Sequence, residues 1–431
     1  MTRQELVARV LTLALAATVL GASPAAHAGL GSIIVRPPPI YFRPRDGVVH
    51  GRIWFYQHQG NYCTPSAWRD CEGARYLSSQ YHTNMPVGDV KVFVREGETI
   101  VGQGVTDANG YFRISWWADH GVSKLNFIWT AEHKDNRFAV RTGDGGTWIM
   151  WTYELDTVFG STWDSPQWAG DYTWGSPGAE HPMSNVYDGA RRMWNDSLSS
   201  SWTMQNRFAN LEVRSTNTRC STSCAHGNEN RIDLDGNAPY QPQGRILHEM
   251  GHIASYKGSH DWNVNTCANY SWGPNATGWS LDGPEWGCAA FEEALATFFG
   301  DTALYGANAA TPRTCLSTGE CGDGWDIERT PASCPTDSNR IPLNIDRALW
   351  DEFDNRNDGE SIFENLWVYF DQLEDYANGN ENHAKDEWTD NSGGGWDLDG
   401  RGSFDWMWHY TQRFGGTLFY PFINNCGWMG D

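Results

Sequence analysis

From about Val48 to residue 158 the chain alternates apolar and polar positions in short runs broken by turn residues. Val90-Lys91-Val92-Phe93-Val94 puts three valines on one face of an extended strand, and Tyr111-Phe112-Arg113-Ile114-Ser115-Trp116 repeats the two-residue period. Between them stands Thr106-Asp107-Ala108-Asn109-Gly110, whose residue types accept turn dihedrals. Lys124–Trp129 and Phe138–Arg141 supply further strands, so this stretch predicts a β-sandwich. Beyond residue 183 the period lengthens. Val186, Tyr187, Ala190 and Trp194 fall at helical spacing, and later helices are expected over 244–256, 291–299, 345–353 and 361–373. Short strands at 211–213 and 232–234 precede the second of these helices.

The expected architecture is therefore multidomain: an N-terminal all-β sandwich followed by an α+β domain. The boundaries are 29–46 for a Pro-rich lead-in, 47–158 for the sandwich, 159–183 for a Gly/Ser/Pro/Trp-rich connection, and 184–431 for the second domain. Residues 1–28 carry Arg3 and Arg9, an apolar run from Val10 to Ala22, and Ala26-His27-Ala28 before Gly29. That is the pattern of an export signal, with cleavage expected after Ala28. The run is short for a bilayer span, and no later segment approaches the ~20 apolar residues one needs. A secreted, extracellular protein is expected.

Composition narrows the function classes. The formal charge is −22, with 31 Lys+Arg against 53 Asp+Glu, which disfavours nucleic acid and anionic lipid as partners. Ten cysteines in an exported chain read as a disulfide framework. Cys63/Cys71 and Cys220/Cys224 are natural local bridges, with connectivity left open. No Cys-x-x-Cys pair occurs, which speaks against a cysteine zinc site.

The chemistry is carried by His248-Glu249-Met250-Gly251-His252. Two histidines four apart on a helix lie one above the other and can direct ring nitrogens at one ion. Glu249 is turned about 100° away, so it does not ligate but reaches a water beside the metal. Zinc accepts nitrogen and oxygen ligands, tolerates an open fourth position, and lowers the pKa of its water towards ~7. With 13 histidines in the chain, chance gives this spacing in roughly one such chain in fifty, so it is taken as a signal. The pentapeptide resembles the metal-binding motif of zincin-type zinc metallopeptidases.

A third protein ligand is needed. A third histidine at metzincin spacing is missing, since the positions seven and ten after His248 are Ser255 and Gly258. Phe291-Glu292-Glu293-Ala294-Leu295-Ala296-Thr297 offers a carboxylate instead; Glu293 followed by Ala-Leu-Ala resembles the glutamate helix of gluzincins, with Glu292 as the competing ligand. Thr297 stands where thermolysin-like enzymes carry an acid that orients a zinc histidine. Arg347-Ala348-Leu349-Trp350-Asp351-Glu352-Phe353-Asp354 resembles a helix found downstream in several gluzincin families. Pro86–Val92 with Thr106–Phe112 resembles the transthyretin-like, carboxypeptidase-regulatory-like sandwich, an accessory module to which no chemistry is assigned.

Weaker features remain. His409-Tyr410, Tyr256 and His260 are candidates for stabilising an oxyanion, a role left unassigned. Asp397-Leu398-Asp399-Gly400, with Asp405 beyond, has the acidic alternation of a calcium loop without its terminal Glu; Ca2+ is a weak alternative to a solvated turn. Asn228–Asp235 is expected as an edge strand for an extended substrate. The resulting expectation is a zinc endopeptidase acting on a protein or peptide substrate, with His248, His252 and Glu293 on Zn2+ and Glu249 as base. The rivals are a non-catalytic surface-binding or adhesion protein and a zinc hydrolase of a non-peptide amide. Oligomeric state is not legible.

Overall fold

A computed structural model describes residues 45–55, 85–156 except 123 and 148, 167–174, 182–235 except 216–218 and 221–222, 243–258, 280–283, 287–305, 309, 312–314, 316, 325–329, 331–334, 341–354, 369 and 424–426. All of these fall within one unit, Arg43–Asp431. Strands and helices are both abundant in it. The signal segment, the lead-in to residue 44, Cys63/Cys71, His260, the Asp397–Asp405 run and His409-Tyr410 lie outside the described residues.

The period-two runs become strands. In the smaller, four-stranded sheet, β1 (Asp46–Phe55) pairs antiparallel with β2 (Met85–Pro86) and β5 (Tyr111–Trp117), and parallel with β9 (Gln167–Trp174). Strand β9 lies inside 159–183, the stretch expected as a connection; Gly170 interrupts its run of alternate aromatics, Trp168, Tyr172 and Trp174. The larger, eight-stranded sheet runs β11 (Cys224–His226), β12 (Arg231–Asp233), β10 (Leu211–Ser215), β7 (Phe138–Thr142), β6 (Lys124–His133), β3 (Val90–Glu96), β4 (Thr99–Val105), with β8 (Ile149–Asp156) also on β6. Strand β10 pairs in parallel with β7, so one sheet draws strands from both sides of the 159–183 stretch.

The sandwich core forms where alternation predicts it. Phe112, Ile114 and Trp116 of β5 point inward while their neighbours face out. Phe112 stacks on Phe127 of β6 at 4.5 Å, and Phe127 stacks on Tyr172 of β9 at 5.0 Å, so the aromatics tie the two sheets together. The turn at 106–110 carries the chain from one sheet to the other. Asp107 Oδ1 accepts from the amides of Asn109 and Tyr111, and Gly110 sits at φ +76° where a Cβ would lie 2.3 Å from the Ile53 carbonyl.

Among the described residues five α-helices follow: α1 (Pro182–Arg192), α2 (Trp202–Arg207), α3 (Gln243–Gly258), α4 (Gly287–Leu304) and α5 (Pro342–Phe353). Helix α1 is joined to the sandwich through Asp89, whose carboxylate meets Lys134 at 2.8 Å, Asn195 at 3.1 Å and Arg191 at 3.6 Å. Burial would raise the Asp89 pKa, but these partners hold it below the ordinary value. One turn earlier in α1, Asp188 accepts from Gln243 at 3.1 Å, fixing the start of α3. No helix among the described residues is long and apolar enough to cross a membrane.

Disulfides join Cys220 to Cys224 and Cys334 to Cys426. The first was expected from spacing. The second spans 92 residues and follows from no local pattern.

Candidate metal centre

Helix α3 forms because Ile246, Leu247, Met250 and Ile253 make one apolar face, and all four are fully buried. Its last carbonyls, which lack partners within the helix, accept from Arg207: Nη1 lies 3.3 Å from the oxygens of Lys257 and of Gly258. Helix α4 is buried on every described side, from Ala289 to Leu304. The two helices touch at glycines. A Cβ on Gly251 would lie 2.2 Å from the carbonyl oxygen of Ala296, and one on Gly300 would lie 3.2 Å from His248 N and Leu247 Cβ. Gly251, inside the His-Glu-x-x-His pentapeptide, thus sets the distance at which α4 can present its glutamates.

At that distance three side chains converge. Glu293 Oε2 lies 3.1 Å from His248 Nε2 and 3.6 Å from His252 Nε2, and the imidazole centroids are 4.7 Å apart at 83°. The three ligand atoms all lie within 4.8 Å of one another. Bond lengths of about 2.0–2.2 Å in a tetrahedral arrangement require ligand atoms to be separated by about 3.3 Å. The two distances from Glu293, 3.1 and 3.6 Å, bracket that value, so the three residues suit a small divalent cation.

Glu292 takes another path. Its carboxylate accepts from Ser255 Oγ at 3.2 Å and is buried, so it packs against α3 but is not among the clustered ligand atoms. Of the two competing glutamates, Glu293 is the one the fold brings to both histidines. Neither lies on a solvated face: both are under 10% exposed.

Thr297 supplies the hydrogen bond the sequence left in doubt. Its hydroxyl proton goes to the Glu293 carbonyl at 2.7 Å, so towards His248 Nδ1, at 3.0 Å, the oxygen can only accept. In the neutral ring that puts the imidazole hydrogen on Nδ1 and makes Nε2, the nitrogen beside Glu293, the one able to ligate a cation.

Electrostatics divide the two histidines. Burial lowers His248 to about 4, and a proton on His252 repels a second one there. For His252 burial acts the same way, but the charges of Glu293, Glu249 and Glu292 outweigh it and raise its pKa. Glu293 is held far below the carboxylate range, since its two histidine partners overcome the cost of burial. A divalent cation in this triad would take the place of the His252 proton, because both rings must be neutral to ligate. Glu249, 4% exposed, is pushed up to about 7 by burial. Burial likewise raises Glu292 to about 7.

Three features had escaped the sequence reading. Asn228–Asp235 does not supply the sheet's end strand: β12 is flanked by β10 and β11, and β11 ends the described path. Behind the triad, two turns further along α4, Asp301 and Asp346 of α5 share the Thr314 hydroxyl at 2.6 and 3.1 Å, all three fully buried. A hydroxyl has one proton to give, so one of these carboxyls is itself protonated and donates. Burial raises the pKa of both. Third, Cys220, Cys224, His226 and Asp233 gather at the sheet end. No spacing rule links the helical Asp pair, whereas Cys-x-x-x-Cys-x-His was visible as a string.

No protein-family model matches the chain, and no curated protein does. Among solved structures, a 9R-lipoxygenase from Cyanothece PCC8801 aligns at 17% identity over 43% of this chain and 26% of its own, with a TM-score of 0.17. At that score it carries no argument about fold or activity.

Proposed function

We propose that this chain is an exported zinc endopeptidase of the gluzincin-like type, multidomain, with the sandwich as an accessory transthyretin-like module. One observation carries the reading: two imidazoles one helical turn apart and a carboxylate from a neighbouring helix share a pocket of zinc dimensions, with a further buried carboxyl, Glu249, on the same helix.

His248 Nε2, His252 Nε2 and Glu293 Oε2 would hold the metal. When bound, zinc supplies Lewis acidity, polarising a peptide carbonyl and acidifying the water that attacks it. Glu249 accepts the proton of that water and returns it to the departing amine nitrogen. Burial raises the Glu249 carboxyl to about 7 in the metal-free protein, and a cation beside it would draw that value down, favouring the carboxylate form that accepts a proton. Thr297 keeps His248 in the tautomer whose Nε2 can ligate. The two Asp oxygens at Thr314 lie behind the site and touch none of the reacting groups. The disulfides and the export signal read from the sequence agree with an extracellular place of action.

Glu249→Gln tests this directly. Cleavage of an unfolded protein substrate is expected to fall by a factor of about 10^2 to 10^4 while zinc content stays at the wild-type level. Equal cleavage by the two proteins, or no cleavage by the wild type with zinc bound, defeats the reading; in the second case a zinc hydrolase of another amide or an inert binding protein takes its place.

A further inference from the structure

The sheet end carries a second cluster of ligand atoms, unrelated to the helical triad. Strands β11 and β12 pair antiparallel with Cys224 opposite Asp233 and Ala225 opposite Ile232. Side chains directly opposite share a face, as do residues two apart on one strand. Cys224, His226 and Asp233 are thereby on one face of the hairpin, and the chain at 219–220 brings Cys220 to them. His226 Nε2 is the centre of the group, 3.2 Å from Cys224 Sγ, 3.9 Å from Cys220 Sγ and 3.0 Å from Asp233 Oδ2. All four ligand atoms lie within 4.8 Å of one another.

With metal–sulfur bonds near 2.3 Å and metal–nitrogen bonds near 2.0 Å, a tetrahedral site needs sulfur and nitrogen about 3.6 Å apart. The two sulfur–nitrogen distances bracket that value. Cys220 and Cys224 are joined as a disulfide, whose sulfurs are poor ligands; opened, they become thiolates, which suit zinc and other soft divalent ions. Arg231 already bonds Asp233 Oδ2 at 3.0 Å and would balance the third negative charge of two thiolates and a carboxylate around one dication.

We propose that Cys220, Cys224, His226 and Asp233 form a redox-gated site for a soft divalent cation such as zinc: closed by the disulfide, open when the two cysteines are reduced. A dithiol reductant delivers two electrons and two protons to the Cys220–Cys224 bond, becoming a disulfide itself. The entering cation then displaces both thiol protons to solvent. Either clasp pins the same elements, the 219–220 segment and the β11–β12 hairpin. Gly227, directly after His226, abuts the Tyr256 ring of α3, where a Cβ would lie 2.4 Å from Cγ, so the clasp also bears on the zinc helix.

The test is a cobalt(II) titration of the full-length protein before and after treatment with a dithiol reductant. The reduced protein is expected to bind one further equivalent and to show thiolate-to-cobalt charge-transfer absorption. Both should vanish in the double variant Cys220→Ser/Cys224→Ser. His226→Ala leaves the disulfide and the oxidised fold in place, and should weaken the added site by roughly tenfold or more, since losing a ligand costs no less than losing its hydrogen-bond partner. No additional cobalt on reduction, additional cobalt without thiolate absorption, a signal that survives in the double cysteine variant, or an undiminished cobalt affinity in His226→Ala overturns the proposal. Because the His248–His252–Glu293 triad contains no sulfur, its failure to bind metal would leave this outcome unaffected.

Discussion

The sandwich and the helical layer bury different chemistry. Between the sheets, Phe112, Phe127, Trp129 and Tyr172 pack ring on ring, and few charged groups are enclosed. Between α3, α4 and α5 the enclosed groups include His248, Glu249, Glu292, Glu293, Asp301, Asp346 and Arg347. An apolar core gains stability from every side chain it covers. A buried carboxyl costs several kcal/mol unless it is paired, neutralised or set against a metal. The helical layer pairs Glu293 with the histidines and Asp301 with Asp346 through Thr314, and the triad is a candidate cation site. The sheets, by contrast, are held chiefly by apolar and aromatic packing.

Four substitutions separate the two regions. Phe127→Ala opens the aromatic stack and should lower unfolding stability by roughly 3–5 kcal/mol while leaving zinc affinity unchanged. Denaturant unfolding and a chelator competition measure the two quantities; parallel loss of zinc affinity would show that the regions are not separable. Gly251→Ala places a methyl against the Ala296 backbone and should force α3 from α4, costing roughly 1–3 kcal/mol of stability. Here zinc affinity should fall as well, and a variant that binds zinc normally would dissociate the helix contact from the ligand geometry.

Thr297→Val removes the acceptor for His248 Nδ1–H and keeps the shape. Zinc affinity should drop by roughly 10- to 100-fold with the fold intact, read by competition with a coloured chelator. An unchanged affinity would mean that another group holds the ring.

Asp301→Asn addresses pH. Both aspartates have native pKa values raised by burial, so their contribution is fully present below the ordinary aspartate value of ~3.9 and is lost as pH rises through the native values. The metal-free wild type should therefore lose stability from this pair as the pH is raised. Asp301→Asn should lessen that loss by roughly 1–3 kcal/mol, seen by urea unfolding at acidic and mildly alkaline pH. Coincident pH profiles for the two proteins would refute the shared proton.

Much of this was readable along the chain. Alternation located β3, β5, β6 and β7, and the helical period located α1, α3, α4 and α5, with the apolar face of α3 as read. Strand β9 was missed because it sits in a Gly/Ser/Pro/Trp-rich stretch and Gly170 breaks the alternate run of Trp168, Tyr172 and Trp174, and the partner of β7 was missed because pairing across 68 intervening residues leaves no local trace. The residue types of the site were legible as well, since two histidines and a glutamate on one helical turn need only the helix to be placed correctly.

What the sequence by itself determined is thus local: period, turn chemistry, the His248–His252 pair and the presence of two candidate glutamates nearby. Tertiary structure decided which glutamate counts. Gly251 and Gly300 let the helices meet closely enough for Glu293 to reach both rings while Ser255 takes Glu292. It also decided that Asp301 and Asp346 face one hydroxyl and that Cys220, Cys224, His226 and Asp233 share a face. The physical reason is the same in each case. A covalent chain fixes neighbours within a turn of helix or along a strand, but the separation of atoms on different elements depends on how closely their backbones pack.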